Sequence, residues 1–195
     1  MRVLVVGGGG FAMACIDVLG SSGLDVGGPV EVDGDLDRSI IDGADVFVAV
    51  MDNRARQMVS HEVATLGGRL VTALSPRAVV SPSARISAGA VLMPGAVVNA
   101  AASIGEGAIV NTNAAVDHEA SVGAFAHVAV GASLAGNVSV GDGALIGVGA
   151  SVTPGRTIGA WSTVGAGSAV VRDVAPGATV AGVPAKTTYG SALLR

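Results

Sequence analysis

A six-residue period in the second part of the chain constrains the fold more than any other feature. From Val80 to Val170 every sixth residue is aliphatic, which gives sixteen consecutive aliphatic positions. A second column follows four residues after each of them, from Ala84 to Val174, and only Arg156 in it is neither small nor aliphatic. This period fits neither an α-helix nor a simple two-sided strand. It indicates a β-solenoid built from hexapeptides, in which each coil covers its neighbours.

The composition agrees with a solenoid that has a narrow interior. Half of the residues are apolar, only 3% are aromatic and 13% are charged. Such a chain is too apolar to be disordered, yet it lacks the bulky side chains of an ordinary core. The uncharged segment 86–105 is long enough to cross a bilayer, but its Pro94, Asn99 and glycines are not typical of a lipid-facing helix. We therefore expect no membrane-spanning segment.

The charge and the cysteine content exclude further classes of protein. The net charge is −4, and the chain has one lysine and no basic cluster, so we expect no nucleic-acid partner. Cys15 is the only cysteine and cannot form an internal disulfide, which fits a reducing compartment. The first strand leads directly into a glycine cluster and not into a signal peptide, so a cytoplasmic protein is expected.

The first part of the chain follows a different pattern, which changes near Pro76. Strands are predicted at 2–6, 26–32, 45–51 and 69–74, and helices at 11–19 and 53–66. Strands and helices that alternate at this spacing predict a parallel sheet with crossover helices. We therefore expect a small Rossmann-like α/β domain at residues 1–76, followed by an all-β solenoid domain at residues 77–195.

A glycine cluster follows the first predicted strand and precedes the first helix. Gly7, Gly9 and Ala12 match the form G-x-G-x-x-A, in a place where main-chain N–H groups hold phosphates. A nicotinamide cofactor is disfavoured, because the acidic residues Glu31 and Asp33 are only loosely placed for its ribose. The diphosphate of a UDP-sugar is the favoured ligand, and a purely structural turn remains open. The four glycines concerned are Gly7, Gly8, Gly9 and Gly10.

The solenoid contains two histidines, His118 and His127, and neither lies in the aliphatic or the small column. Both should therefore point outward, which disfavours a core role, although a solvated surface histidine remains open. Asp117 and Glu119 flank His118 and offer a carboxylate that could orient its imidazole and raise its basicity. If a coil contains about 18 residues, Gly136 lies about 4.8 Å above His118, where its N–H could stabilise the oxyanion of a thioester.

The separation of the two histidines bears on the assembly. His127 follows His118 by half a coil, which places the two side chains on different sides of the solenoid. They cannot easily share a small ligand within one chain. If both serve one site, that site lies between subunits, and we then expect a cyclic homotrimer.

The columns resemble those of the left-handed β-helix acyltransferases, whose three-sided coils contain about 18 residues. On that geometry residues 80–175 form about five and a third coils. The left hand is implied by this resemblance alone, because parallel crossover connections are otherwise right-handed. The same fold hosts zinc-dependent γ-class carbonic anhydrases, but a catalytic zinc of that kind needs three histidines, so no metal is expected.

A narrower resemblance rests on the glycine turn, the α/β unit and the segments NTNAAVDHE at 111–119 and GVPAK at 182–186. Together they are similar to the NeuD-type and UDP-4-amino-sugar (bacillosamine-type) acetyltransferases. The resemblance implies an acetyl-CoA-dependent enzyme that acetylates the amine of a nucleotide-linked amino sugar. Phe11 departs from the family, which usually has a substrate-contacting histidine there, and the acidic segment at 29–33 is also altered. These departures predict a changed acceptor pocket.

The resemblance also implies roles for individual residues. His118 is the general base, and Glu119, with Asp117, is its partner. The acetyl-CoA thioester meets His127 and the amide of Gly136, and the pantetheine arm runs between subunits. The remaining implied residues are Gly7, Gly8, Gly9, Gly10, Phe11 and Asn111 for the acceptor, Gly147 and Ala166 for the pantetheine, and Lys186, together with Arg172, for the coenzyme A phosphates.

Two other functions remain open. An O-acetyltransferase acting on sialic acid or another hydroxyl acceptor would need the same base, and a non-catalytic solenoid scaffold would need only the two columns.

We expect direct transfer without a covalent relay at Cys15, and an acceptor held by the first domain at the N-terminal end of the solenoid. Phe125 and Trp161 occupy corners and are expected to pack between subunits, whereas His61 should face solvent.

Overall fold

The computed structural model describes residues 2–30 and 36–188, and Glu31 and Asp33 therefore lie outside the described residues. The N-terminal unit, which comprises β1 to β4 with α1 to α3, contains a four-stranded parallel sheet of order β2-β1-β3-β4. Its elements are β1 (Arg2–Val6), α1 (Gly9–Ser21), β2 (Asp25–Val30), α2 (Arg38–Ile41), β3 (Asp45–Val48), α3 (Asn53–Thr65) and β4 (Arg69–Leu70).

The predicted strand at 69–74 is wrong as a single element. Residues 69–70 form β4 beside β3, whereas residues 73–74 form β5, which pairs with β8 of the solenoid. The first solenoid strand thus lies just before Pro76. The apolar pattern continues through both strands because each is partly covered, and periodicity alone does not reveal that the chain passes from one sheet to another.

The solenoid consists of short strands in three sheets, which we call faces. Face 1 contains β5, β8, β11, β14, β17, β20, β22 and β23; face 2 contains β6, β9, β12, β15, β18 and β21; face 3 contains β7, β10, β13, β16 and β19. All neighbouring strands are parallel except β23, which is antiparallel to β22.

The bounds of these strands are β5 (Ala73–Leu74), β6 (Val79–Val80), β7 (Arg85–Ile86), β8 (Val91–Leu92), β9 (Val97–Val98), β10 (Ser103–Ile104), β11 (Ile109–Val110), β12 (Ala115–Val116), β13 (Ser121–Val122), β14 (His127–Val128), β15 (Ser133–Leu134), β16 (Ser139–Val140), β17 (Leu145–Ile146), β18 (Ser151–Val152), β19 (Thr157–Ile158), β20 (Thr163–Val164), β21 (Ala169–Val170), β22 (Thr179–Ala181) and β23 (Lys186–Thr187).

The register confirms the sixfold pattern. Strands pair with residues 18 positions later, as in Ile104 with Val122 and Val110 with Val128. The second residue of each strand from β6 to β22 points inward, and with the small column these side chains form one continuous core along the axis. The result is a β-solenoid of the left-handed type with about six turns. Each coil is stabilised because it removes the apolar residues of its neighbours from water.

The register changes near the end of the solenoid. Ile158 bridges Val174, and Val164 pairs with Val180, so both steps are 16 residues and not 18. Val174 was predicted in the small column, but it continues the inward aliphatic column instead. The corner before it is two residues shorter, and there the Arg156 guanidinium lies 3.7 Å from Asp173.

The N-terminal unit packs along the side of the solenoid, against face 1. The outward residues Val91 and Ile109, with Met93, join one buried cluster with Val3 and Phe47 of the sheet. The expectation that the first domain sits at the N-terminal end of the solenoid is therefore wrong. Face 1 is covered because its outward residues are apolar at these coils, whereas the corresponding residues of face 3 are mostly serine.

A buried arginine connects the two parts of the molecule. Arg56 of α3 is only 2% exposed and has no carboxylate within ion-pair distance among residues 2–30 and 36–188. Its guanidinium donates at 2.7–2.9 Å to the carbonyl oxygens of Gly107, Phe125, Val50 and Met51 and to Oδ1 of Asn53. Burial lowers its pKa to about 10, so it remains charged at neutral pH. Five acceptors thus stabilise a charge that burial alone would disfavour.

Phe125 and Trp161 of the solenoid contact helix α3. The Phe125 ring meets the edge of His61 with centroids 5.7 Å apart, and the Arg54 guanidinium lies 4.3 Å from the centre of the Trp161 ring. Phe125 is buried within the chain, so the expectation that it packs between subunits is wrong. Trp161 is half-buried, and its expected place between subunits stays a prediction. His61 is exposed, as predicted. Within residues 2–30 and 36–188, none of the helices has the length and apolar character needed to cross a membrane.

We expect Arg56→Met to destabilise the protein by about 3 kcal/mol or more, because the Gly107 and Phe125 carbonyls lose their donors inside the junction. For a chain of this size the midpoint of thermal unfolding should fall by about 6–12 °C. Arg54→Met, two residues away on the exposed side of α3, should lower it by much less. Equal shifts for the two variants in scanning calorimetry would contradict the role of Arg56 at the junction.

Candidate active site

His118 lies at the corner between β12 on face 2 and β13 on face 3. The next residue, Glu119, has a left-handed backbone with φ of 58°. This conformation is a general feature of the solenoid corners, because the equivalent residues Ala101, Asn113, Phe125, Asn137 and Trp161 share it. It brings Glu119 Oε2 to 3.4 Å from Nδ1 of His118, and both side chains are more than half exposed. The carboxylate is thus placed to orient the imidazole.

Asp117 has a different role in the same corner. Its Oδ1 accepts hydrogen bonds from Asn99 Nδ2 at 2.8 Å and from the main-chain N–H of His118 at 2.7 Å. These two bonds, the Asn99 bond first, lower the pKa of the Asp117 carboxyl. Asp117 therefore holds the turn that presents His118, whereas Glu119 contacts the ring itself.

Gly136 lies directly over the His118 imidazole, on the next coil. A methyl group at Gly136 would lie 2.5 Å from both Cε1 and Nε2 of the ring, so only glycine permits this close approach. The Gly136 N–H has no acceptor among residues 2–30 and 36–188. An imidazole nitrogen and an unpaired N–H on adjacent coils are the two groups that general-base acyl transfer needs.

A groove on face 2 adjoins this corner. Its volume is about 470 Å³. The polar residues that line it are Asn99, Asp117, Ser133, Ser151 and Thr153. The groove follows the axis from the coil of Asn99 to that of Thr153, and Asp117 connects it with the His118 corner.

His127 and Asn111 meet on face 1, away from His118. The Asn111 Nδ2 and the His127 Nε2 are 3.1 Å apart, and both residues are buried. His127 points outward from the solenoid, as the register predicted, but the N-terminal unit covers it. Burial, and secondarily the charge of Arg56, lower the pKa of His127 to about 4. It is therefore neutral at physiological pH, and its low pKa makes it a weak base.

A cavity of about 310 Å³ lies beside His127, between α3 and the solenoid. Its lining includes the segment at 51–54, which follows β3, and Trp161 and Thr163. Asn53 closes one side by donating to the carbonyl oxygen of Gly143 at 3.1 Å. The cavity thus connects the carboxyl end of β3 with face 1 of the solenoid.

The glycine turn lies at the carboxyl end of β1. Gly7 has φ of 140°, and a side chain there would overlap the carbonyl oxygen of Ala49 after β3, so the turn requires glycine. Helix α1 begins at Gly9, and no side chain caps it at Gly8. Its first N–H groups are therefore available to an anion. Phe11 is half-buried and packs against the cluster that joins the N-terminal unit to face 1.

The remaining predicted residues lie on the upper coils. A methyl group at Gly147 would lie 2.6 Å from the main-chain nitrogen of Ala166, so these two residues are in contact on adjacent coils. Lys186 and Arg172 line one cavity of about 260 Å³ near the end of the solenoid.

Cys15 is buried in α1, and burial raises the pKa of its thiol to about 12, which makes it a poor nucleophile.

Sequence reasoning missed Arg56 and the pairing of Asn111 with His127. Arg56 lies in a helix among other polar residues, and no local pattern distinguishes it from a solvated side chain. The pair at 111 and 127 is separated by 16 residues, which the coil length did not predict as a contact. Within residues 2–30 and 36–188 no three histidine, cysteine or acidic side chains form a cluster that could hold a metal ion.

The fold is similar to those of solved sugar acetyltransferases. A histidine variant of perosamine N-acetyltransferase from Caulobacter crescentus, in complex with CoA and GDP-perosamine, has a TM-score of 0.94 and 41% identity over 97% of this chain and 98% of that one. The acetyltransferase domain of PglB from Neisseria gonorrhoeae has a TM-score of 0.88 and 35% identity over 96% and 99%.

WeeI from Acinetobacter baumannii has a TM-score of 0.81 at 21% identity, covers 96% of this chain and 100% of its own, and shares the fold. No family model matches the sequence, and none of the curated proteins matches it. An identity of 41% over nearly the full length of both chains is decisive. The chain belongs to the hexapeptide-repeat sugar acetyltransferases, the family of the perosamine and PglB enzymes.

Proposed function

We propose that the protein is an acetyl-CoA-dependent N-acetyltransferase that acts on the amine of a nucleotide-linked amino sugar. The observation that carries this proposal is the His118 ring, which lies against Gly136 and has Glu119 at its Nδ1. Perosamine N-acetyltransferase, which is 41% identical, has been seen with CoA and GDP-perosamine bound. Its acceptor is of the class that we propose here.

The reaction is a direct acyl transfer. The sugar amine attacks the thioester carbonyl, and His118 Nε2 accepts the proton that the amine loses. Glu119 stabilises the resulting imidazolium through Nδ1, and the Gly136 N–H stabilises the oxyanion. The tetrahedral intermediate then releases the coenzyme A thiolate, which regains a proton from His118. Cys15 takes no part because its thiol is buried and protonated.

The acceptor is held by a Rossmann-like domain that ends before β5, and acyl transfer belongs to a left-handed β-helix domain that begins at β5 and not at residue 77. The sheet order β2-β1-β3-β4 changes direction between β1 and β3, and ligands of open parallel sheets bind outside the strand ends at such a point. The N–H groups at Gly8, Gly9 and Gly10 hold the diphosphate there. Phe11 packs against face 1, so the acceptor makes no hydrogen bond at that position.

The working form is a homotrimer with its sites between subunits. His118 is on the corner of faces 2 and 3, whereas His127 and Asn111 are on the face 1 side, so one acetyl group meets all three only across two chains. The pantetheine arm lies along the groove above Asp117, past Gly147 and Ala166 of the next subunit. Lys186 and Arg172 attract the coenzyme A phosphates. The unpaired thiol of Cys15 fits a cytoplasmic location.

We expect His118→Ala to lower kcat by at least about a hundredfold, because general-base catalysis contributes about 10²–10⁴ to such reactions. The assay would follow free thiol release from acetyl-CoA with GDP- and UDP-linked 4-amino sugars, and mass spectrometry would identify the acetylated nitrogen. His61→Ala, which removes an exposed histidine of α3, is the control and should retain activity. Normal turnover by His118→Ala, or an O-acetylated product, would end the proposal.

Gly136→Ala tests the stacked geometry. The added methyl group overlaps the imidazole, so the ring must leave its place, and we expect kcat to fall at least about tenfold. The backbone of Gly136 is not left-handed, so the thermal midpoint should change little. Gly20→Ala on α1 adds the same methyl group in open space and should leave kcat unchanged. Equal kcat for both variants would contradict the proposed contact.

A complementation assay tests the shared site. The variants His118→Ala and His127→Ala, each nearly inactive alone, are co-expressed with different tags, and mixed trimers are isolated. If each site takes His118 from one subunit and His127 from the next, every mixed trimer has one intact site of three and should recover about a third of wild-type activity. Recovery no greater than that of the parents would contradict a site between subunits.

A further inference from the structure

The Asn111 side chain has a defined orientation. Its Oδ1 accepts the main-chain N–H of Thr112 at 2.8 Å, and a main-chain nitrogen can only donate. The amide nitrogen Nδ2 therefore faces His127, 3.1 Å from Nε2. An amide nitrogen also only donates, so the bond requires a lone pair on His127 Nε2. The proton of the neutral imidazole must then be on Nδ1.

The surroundings of His127 favour the neutral ring. The residue is 6% exposed, and no carboxylate hydrogen-bonds to it among residues 2–30 and 36–188. The charged groups near it are Arg56, whose charge lowers the His127 pKa, and Asp52 and Arg54, which line the adjoining cavity. An imidazolium would place N–H groups of His127 and Asn111 against each other. Geometry and burial thus exclude the charged form.

The other nitrogen, Nδ1, has no protein partner in the described part of the chain. Every side-chain nitrogen or oxygen there that is sealed from solvent has a hydrogen bond. Since Nδ1 has none, it must reach accessible space, and the space that His127 lines is the cavity between α3 and face 1. An N–H donor at the wall of such a cavity is satisfied by an oxygen atom of a ligand or by water.

We propose that Asn111 holds His127 as a fixed Nδ1–H donor, and that this N–H binds a neutral oxygen atom of a substrate. The inference rests on the proposed function and adds a role to its site. Asn111 is then a positioning residue that acts through His127, and not a substrate contact as the resemblance implied. The oxygen is either the thioester carbonyl of acetyl-CoA or a hydroxyl group of the acceptor sugar, because both accept hydrogen bonds without carrying charge.

The substitution Asn111→Asp reverses the polarity of this pair at constant shape. One carboxylate oxygen keeps the bond from the Thr112 N–H, and the other faces Nε2, which must then carry a proton. In the ligand-free protein, ¹⁵N spectra of the His127 ring should show a protonated Nδ1 in the wild type and a protonated Nε2 in the variant. The wild-type signals should not titrate above about pH 5. A merely structural role of Asn111 would not move this proton.

Kinetics separate the two sources of the oxygen. We expect at least a tenfold loss of kcat/KM for Asn111→Asp. A loss in kcat with unchanged acetyl-CoA binding by calorimetry supports the thioester carbonyl, whereas a raised KM for the acceptor alone supports a sugar hydroxyl. Asn113→Asp adds the same charge at an exposed position of the same corner and should retain wild-type values.

Three results would overturn the inference: a wild-type ring protonated on Nε2, a titration near the ordinary histidine pKa, or unchanged kinetics in Asn111→Asp. The first two do not depend on the identity of the acceptor, because the spectra need no substrate. An inactive wild-type protein with the expected Nδ1–H spectrum would instead count against the proposed function alone.

Discussion

The register of 18 residues per coil is the constraint on which the rest of the structure depends. It exists because one aliphatic and one small side chain in every six residues are buried against the coils above and below. The same register places residues 18 apart in contact at the corners. His118 meets Gly136, and Asn99 meets Asp117, without any loop being needed to bring them together. The chemistry of the site is therefore a consequence of core packing.

The second determinant is the docking of the N-terminal unit on face 1. Apolar outward residues of that face, such as Val91 and Ile109, pack against the N-terminal unit, and the hydrogen bonds of Arg56 fix the position of α3 on it. Docking gives the two solenoid histidines opposite environments. His118 stays in contact with solvent beside a carboxylate, whereas His127 loses its water and its charge. The different roles that we propose for the two histidines thus follow from the fact that only His127 is covered.

The sequence predicted the solenoid and the contact of His118 with Gly136, because periodicity directly encodes inward and outward positions. It did not predict which outward face is covered, since a buried valine such as Val91 and an exposed one such as Val79 look alike in the pattern. For the same reason the burial of Arg56 and His127 was not foreseen. The shorter corner before Val174 was missed because the residues there satisfy both columns. A local sequence period carries no information about long-range packing.

The stacked coils also act as a molecular ruler. Gly136, Gly147, Ala166 and Lys186 follow one another along the solenoid axis, and each coil adds about 4.8 Å. In the site that we propose, the number of coils thus sets the length along which the donor molecule lies. Duplication or loss of one coil in the gene would change this reach by a single step while leaving every buried column intact. The same fold can therefore serve acyl donors of other lengths.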